Sequence, residues 1–202
     1  MEKYNVSRET FDKLKAYEAS LKEWQNKFNL VSNSSLENAW ERHFKDSVQL
    51  FDFIPKKAKI MFDFGSGGGF PGMVLAIMAA EKMPDLKISL IESIKKKTVY
   101  LNTVRKLCGV NVDIINDRIE NLPSVKADVI TSRAMCNLND LLKYSYKFTN
   151  RKTTMIFPKG KSYREELSVA LQNWCFDYKA EKNTVGGDGV ILIINNLSAK
   201  RS

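Results

Sequence analysis

The stretch Asp63-Phe64-Gly65-Ser66-Gly67-Gly68-Gly69-Phe70-Pro71-Gly72 constrains this chain more than any other. A short apolar run, KIMFDFGS, leads into it, and a helical pattern, FPGMVLAIMAAEKM, leads out. Glycine tolerates positive φ and lets a ligand approach the backbone. In open α/β sheets, a strand–turn–helix unit places such a turn at the carboxyl edge, where ligands bind. Gly67, Gly69 and Gly72 fit G-x-G-x-x-G, and Gly65, Gly67 and Gly69 form a tighter alternating set. Tight packing alone would not call for five glycines in the eight residues 65–72. The turn predicts a nucleotide-like ligand without saying which one.

The pattern around the turn fixes the fold class. After it come strand-like KISLIES, helical IKKKTVYLNTVRKL, strands in VNVDIIN and ADVITSR, and helical LNDLLKYSYKF. Strand-like TTMIFPK and helical SYREELSVALQNW follow. Two last strands, FDYKAEKNTV and VILIINNL, flank Gly186-Gly187-Asp188-Gly189, which reads as a hairpin turn. Such alternation predicts a mostly parallel sheet covered on both faces, closed by an antiparallel hairpin. The first 55 residues differ. Phe11, Leu14, Tyr17, Leu21, Trp24 and Phe28 recur at helical spacing. Ser34 and Glu37 read as a capping box before a second helix with Leu36, Trp40, Phe44, Val48 and Phe51 on one face. Pro55 and the lysines after it read as a linker. The expected organisation is a helical extension over residues 1–55 and a main domain over 56–202.

Composition narrows the function classes. The 202 residues carry 32 Lys+Arg against 23 Asp+Glu, a net charge of +9. That balance suits a polyanionic partner or a solvated basic surface. No apolar run is long enough to span a membrane, and the charged start lacks a signal-peptide core, so the expected location is cytoplasmic. Three widely spaced cysteines and one histidine, His43, argue against a disulfide framework, a metal site or a histidine-based triad.

A dinucleotide and S-adenosyl-L-methionine both carry a ribose that Glu92, at the end of LIES, can hold through its hydroxyls. Asp63, two residues before the first glycine, favours a cationic sulfonium ligand over a pyrophosphate. Pro71 removes a donor that a pyrophosphate would want.

The same residues resemble a known family, the bacterial 16S rRNA guanine-N7 methyltransferases once called glucose-inhibited division protein B. The resemblance rests on Trp24-Gln25-Asn26-Lys27-Phe28-Asn29-Leu30, Arg42-His43-Phe44-Lys45-Asp46-Ser47, Gly65 through Gly72, Thr131-Ser132-Arg133-Ala134 and Pro158-Lys159-Gly160, in the family's order. It implies a Rossmann-like S-adenosylmethionine-dependent methyltransferase fold with a seven-stranded sheet and an N-terminal helical extension. It also implies methyl transfer to N7 of guanine 527 in small-subunit rRNA. By position it places cofactor contacts at Gly65, Phe70, the pair Ile119-Glu120 and Arg133. The tail Asn195–Ser202 departs from the family pattern.

The chemistry agrees with what the sequence lacks. Guanine N7 has an in-plane lone pair and no proton to lose, so transfer requires positioning rather than a general base. The place after the fourth strand reads Thr131-Ser132-Arg133-Ala134, not the Asn/Asp-Pro-Pro-aromatic stretch of exocyclic-amine enzymes. No cysteine follows a proline, as pyrimidine C5 enzymes typically require. Arg133 is expected to contact O6, a phosphate or the cofactor carboxylate, with pairing to a nearby carboxylate such as Glu120 as its structural alternative. Lys159 is a second positioning group. His43, Lys159, Lys161 and Arg164 are the possible RNA contacts, with a solvated loop or a satisfied structural histidine as alternatives. The expected partner is small-subunit rRNA or a ribosomal particle, met by a monomer without metal. A small-molecule methyltransferase, a non-catalytic RNA-binding module and a nicotinamide oxidoreductase remain open as alternatives from the residues alone.

Overall fold

The computed structural model describes residues 6–185 and 188–200. Seven strands form one sheet: β1 (Ile60–Phe64), β2 (Lys87–Ile91), β3 (Asp113–Ile115), β4 (Val129–Ser132), β5 (Thr154–Lys159), β6 (Trp174–Lys182) and β7 (Val190–Ala199). Their spatial order is β3-β2-β1-β4-β5-β7-β6. The first five run parallel, and β7 lies antiparallel between β5 and β6. Strand order reverses between β2 and β4, on either side of β1, and that is where the glycine turn leaves the sheet. Of the predicted hairpin turn, Gly186 and Gly187 lie outside the described residues.

Strand alternation builds two apolar layers. Met61, Val129 and Ile156 face one layer, while Phe62, Phe64, Ile130, Met155 and Phe157 face the other. Successive side chains on a strand point to opposite faces, so each central strand must be apolar on both. The first layer is completed by α4 (Gly72–Lys82) and α5 (Lys95–Cys108), the second by α6 (Leu138–Tyr146) and α7 (Tyr163–Asn173). No helix among the described residues is long and apolar enough to cross a membrane.

The N-terminal region joins the first layer. Helix α1 (Arg8–Gln25) starts at Ser7, whose side chain accepts the Thr10 N–H. Its Leu14, Tyr17 and Leu21 are buried in the same core as Met73, Tyr100, Leu101 and Val104. Ile54 and Ala58, on either side of the predicted linker, belong to that core too.

The expected second helix is not continuous. It breaks into α2 (Asn33–Leu36), a π-helical turn (Trp40–Lys45), α3 (Asp46–Val48) and a 3-10 turn (Gln49–Phe53). The capping box does not form: Ser32 is the N-cap, and Ser34 Oγ sits 3.3 Å from Ser32 Oγ. The π turn adds one residue to the repeat. It keeps Phe44 buried while Arg42 and His43 line a cleft beside the glycine turn.

Candidate active site

A cleft of about 1090 Å³ opens at the carboxyl edge of β1, β4 and β5. Gly65, Ser66, Gly67, Gly68 and Phe70 form one wall, and Arg133 with Ala134 lies past the tip of β4. Segment 30–46 of the N-terminal region forms the opposite side.

The glycine turn needs its glycines for two separate reasons. Gly65, Gly67 and Gly69 have φ of 65°, 56° and 95°, a region costly for residues with a Cβ. A Cβ on Gly69 would stand 2.3 Å from the Tyr17 hydroxyl, and one on Gly72 2.3 Å from Leu90, so these two permit close packing. A Cβ on Gly67 would meet only the Gly65 carbonyl, at 3.8 Å, so the space over Gly67 is open. The turn is fastened from below: the Gly65 and Ser66 N–H groups donate to the Ile91 carbonyl at 2.9 and 3.1 Å.

Asp63 corrects the sequence-based expectation. It is fully buried and absent from the cleft lining. Its carboxylate accepts from the Thr131 hydroxyl at 2.8 Å and the Gly72 N–H at 3.3 Å. It ties β1 to β4 and to the start of α4 instead of meeting a ligand directly. Burial pushes its carboxyl up to about 6.

Glu92 follows β2 and is buried. Its Oε2 accepts the Gly67 N–H at 2.9 Å and its Oε1 accepts the Ile94 N–H at 2.8 Å. Each carboxylate oxygen has two lone-pair directions, so capacity remains for ribose hydroxyls. Ile119 is buried on a 3-10 turn, and Glu120 beside it is exposed. Neither lines the main cleft.

Arg133 is the most connected group in the cleft. It donates to Asp46 Oδ2 at 3.2 Å and to the Arg42 carbonyl at 3.1 Å, and a third nitrogen bond of 2.9 Å joins it to His43 Nδ1. Its partner is therefore Asp46, not Glu120. The guanidinium also lies 5.2 Å from the Phe70 ring centroid. Phe70 stacks on His43 at 4.9 Å and on Tyr17 at 5.2 Å, so the end of the glycine turn is fixed by aromatic packing.

His43 is a satisfied structural group. Arginine has only donors, so His43 Nδ1 accepts from it and the proton sits on Nε2, facing Ser35 Oγ at 2.9 Å. Burial, with Arg133 and Arg42 nearby, lowers its pKa to about 3. A histidine held neutral contributes stability above the unfolded value near 6.5, and this is lost as pH falls toward 3. Asp63 acts oppositely, its contribution lost as pH rises from 3.8 toward 6. His43 is the only histidine, so its imidazole resonance is unambiguous. We expect that resonance not to move in an NMR titration from pH 8 to pH 5 of the folded protein. A midpoint near 6.5 would refute the bond with Arg133.

Lys159 also differs from expectation. Its ammonium donates to Glu166 at 2.8 Å and to the Cys136 carbonyl at 3.0 Å, with 9% of the side chain exposed. Glu166 in turn accepts the Leu138 N–H at 2.7 Å. Lys159 clamps β5 to α6 and α7, and its charge is neutralised there. Arg164 lies outside the cleft, over the Tyr163 ring. Lys161 is exposed on the cleft wall. Arg42 and Lys97 line it as well. None of these last three has an ion pair among the described residues.

Two residues named from sequence, Tyr17 on the apolar face of the first helix and Gln25 in the Trp24–Leu30 segment, take roles at the site that the sequence did not assign them. The Tyr17 hydroxyl donates to the Gly68 carbonyl, tying α1 to the turn. Gln25, buried at the end of α1, accepts the Leu30 and Val31 N–H groups at 2.9 and 3.1 Å and donates to the Val31 carbonyl at 2.8 Å. It shapes the loop whose Leu30, Val31 and Ser32 line the cleft. The sequence signal for Gln25 was its place in the Trp24–Leu30 segment of the family resemblance, which did not say what its side chain does.

Comparison with known proteins bears on the fold and the family. The profile of the family described as rRNA small subunit methyltransferase G matches residues 10–191. A protein of that name from Orientia tsutsugamushi (strain Ikeda) is 42% identical, with 95% of this chain and 93% of that one covered. Another from Ruegeria pomeroyi is 38% identical, with 96% and 95% covered. Among solved structures, the SAH-bound Podospora anserina methyltransferase matches with a TM-score of 0.60 at 14% identity, covering 88% of this chain and 86% of that one. An O-methyltransferase from Bacillus cereus in complex with SAH gives 0.59 at 14% identity, covering 95% and 92%. These distant likenesses establish the methyltransferase fold, and the close sequence matches go further: the chain belongs to the rRNA small subunit methyltransferase G family.

Proposed function

We propose that this protein transfers a methyl group from S-adenosyl-L-methionine to N7 of guanine 527 in 16S rRNA. The carrying observation is a cleft that joins an open glycine cradle to unpaired cations and offers no poised base. Of the carboxylates that line it, Asp46, Glu166 and Glu41 are each tied to a cation and Asp188 is exposed to solvent, and both His43 nitrogens are engaged. That arrangement suits a ring nitrogen that attacks without losing a proton.

The residues present fit the cofactor. The bare backbone at Gly67 leaves room for close approach, whereas Gly65 packs against Met135. Glu92, bonded to the Gly67 N–H, would hold the ribose hydroxyls. Ile119 and the Ile119-Glu120 backbone would frame the adenine. When bound, the cofactor supplies a methyl on a sulfonium that departs as a neutral thioether. Arg133 is paired with Asp46, but its fork gives only part of its N–H groups to Asp46, the Arg42 carbonyl and His43, and a remaining N–H would donate to O6, a phosphate or the cofactor carboxylate. A bidentate contact to O6 and N7, common in guanine recognition, would occupy the attacking lone pair. Arg42, Lys97 and Lys161 supply positive charge for backbone phosphates.

Labelled S-adenosylmethionine should transfer its methyl to small-subunit rRNA or the particle, and the digest should contain 7-methylguanosine. A panel of small amine and hydroxyl acceptors should remain unlabelled. Labelling of a small acceptor with rRNA untouched would overturn the proposal.

A further inference from the structure

A second concave site lies at the opposite edge of the sheet. It has a volume of about 640 Å³ and is formed where β4 and β5 begin and β7 ends. Strand β5 separates it from the catalytic cleft: Asn150 and Arg151 precede the strand, and Lys159 ends it. Six residues of strand span about 20 Å at roughly 3.3 Å each.

The charge of this site is uncompensated. Lys126, Lys147 and Arg151 line it, and among the described residues no carboxylate does. The Lys126 ammonium donates to the Lys147 carbonyl at 2.9 Å. The Lys147 ammonium donates to the carbonyls of Glu120 and Leu122 at 2.7 and 2.9 Å. Both cations are thus held in place by neutral acceptors, which orient a charge without cancelling it. Arg151 has no ion pair among the described residues, and it is exposed. Asn150 lines the site too, its Oδ1 accepting the Lys152 N–H at 2.7 Å. Tyr146 adds a 45%-exposed ring at the rim, against Trp174. Fixed ammonium groups, a free guanidinium and an aromatic edge are what a nucleic-acid backbone recruits.

We propose that this site holds backbone phosphate of a second segment of the rRNA substrate, on the far side of the domain from the reacting guanine. The inference rests on the rRNA-methyltransferase reading. It deepens that reading by requiring a substrate large enough to reach both edges. A contact that positions without reading bases would tighten long RNA and leave the chemical step alone.

The test is a double variant, Lys126→Gln with Arg151→Gln. It leaves the Lys147 ammonium on the Glu120 and Leu122 carbonyls, and the Lys147 carbonyl keeps the Ser124 hydroxyl as donor at 2.7 Å when Lys126 is replaced; neither residue lines the catalytic cleft. Methylation of full-length small-subunit rRNA and of a short fragment around the target guanine would be followed across a range of salt. For the long RNA we expect KM to rise about tenfold and the log–log salt slope to fall by about 2, one unit per cation removed. The maximal rate should be unchanged, and the short fragment should show no difference. Equal KM and equal salt slope on long RNA would overturn the inference. So would an identical KM rise on the short fragment, because the site would then belong to the target's own contacts. A site that serves free small anions and not RNA would leave the double variant's KM and salt slope on long RNA equal to wild type, the outcome that overturns the inference. If the wild-type protein labels no RNA at all, the rRNA reading itself fails, an outcome distinct from those above.

Discussion

Gly67→Ala is expected to leave the domain folded and to weaken S-adenosylmethionine binding by at least about 100-fold. The left-handed φ of 56° costs an alanine roughly 1–2 kcal/mol. At this chain length that is a fall of roughly 2–8 °C in Tm. No neighbour is displaced, since the added methyl meets only the Gly65 carbonyl. The methyl does fill the open face of the cradle. Gly69→Ala is the control with the opposite outcome. Its methyl would run into the Tyr17 hydroxyl, with Leu101 and Met73 both at 3.1 Å and φ at 95°. Strain and overpacking together cost roughly 2–6 kcal/mol. That variant should lose its cooperative unfolding transition, or most of its soluble yield. Calorimetric titration and thermal melts distinguish the two. Undiminished binding by Gly67→Ala would show that the open face of the turn is not the cofactor cradle.

Arg133→Ala should cut the single-turnover rate of methyl transfer about 100-fold or more, on the scale of other preorganised cationic donors. The fold should survive. Asp46 loses its ion pair but still accepts from Asn183 at 2.7 Å and Gln49 at 3.1 Å. The cost in stability is about 1–3 kcal/mol, typical of a charged hydrogen bond that is lost while other donors remain. Arg133→Lys should not restore the rate, because an ammonium cannot serve Asp46, the Arg42 carbonyl and His43 from one planar fork. Circular dichroism of each variant separates folding from catalysis. Wild-type turnover by Arg133→Ala would remove this residue from the reaction.

The sheet was legible because its central strands are apolar on both faces and are punctuated by helices with periodic faces. The glycine turn was legible because few backbone geometries need so many residues without a Cβ. Orientation was harder to read. A carboxylate at a strand tip can point outward to a ligand or inward to its neighbours. Asp63 points inward because Thr131, 68 residues away, and the N–H of Gly72 both face it. Lys159 and Arg133 raised the same difficulty. Their charges were visible, but Glu166 and Asp46 are brought to them only by the folding of α7 and of segment 33–53. That segment itself read as one helix because its apolar residues recur every three or four positions. The same recurrence is compatible with a chain that passes through a π turn and a 3-10 turn. The role of Gln25 was hidden because it is to hold the backbone of a loop, and hydrogen bonds of that kind leave no periodic trace.

The most direct measurement is the position and ring atom of the methyl group on small-subunit rRNA after reaction with the purified protein. Mass spectrometry of nuclease fragments, together with the reductive ring opening that N7-methylated guanine alone among the guanines undergoes, should place a single methyl on N7 of guanine 527. Gly67→Ala protein should leave that guanine unmodified. A methyl on an exocyclic amine, a ribose or another nucleotide, with guanine 527 unchanged, would contradict the account.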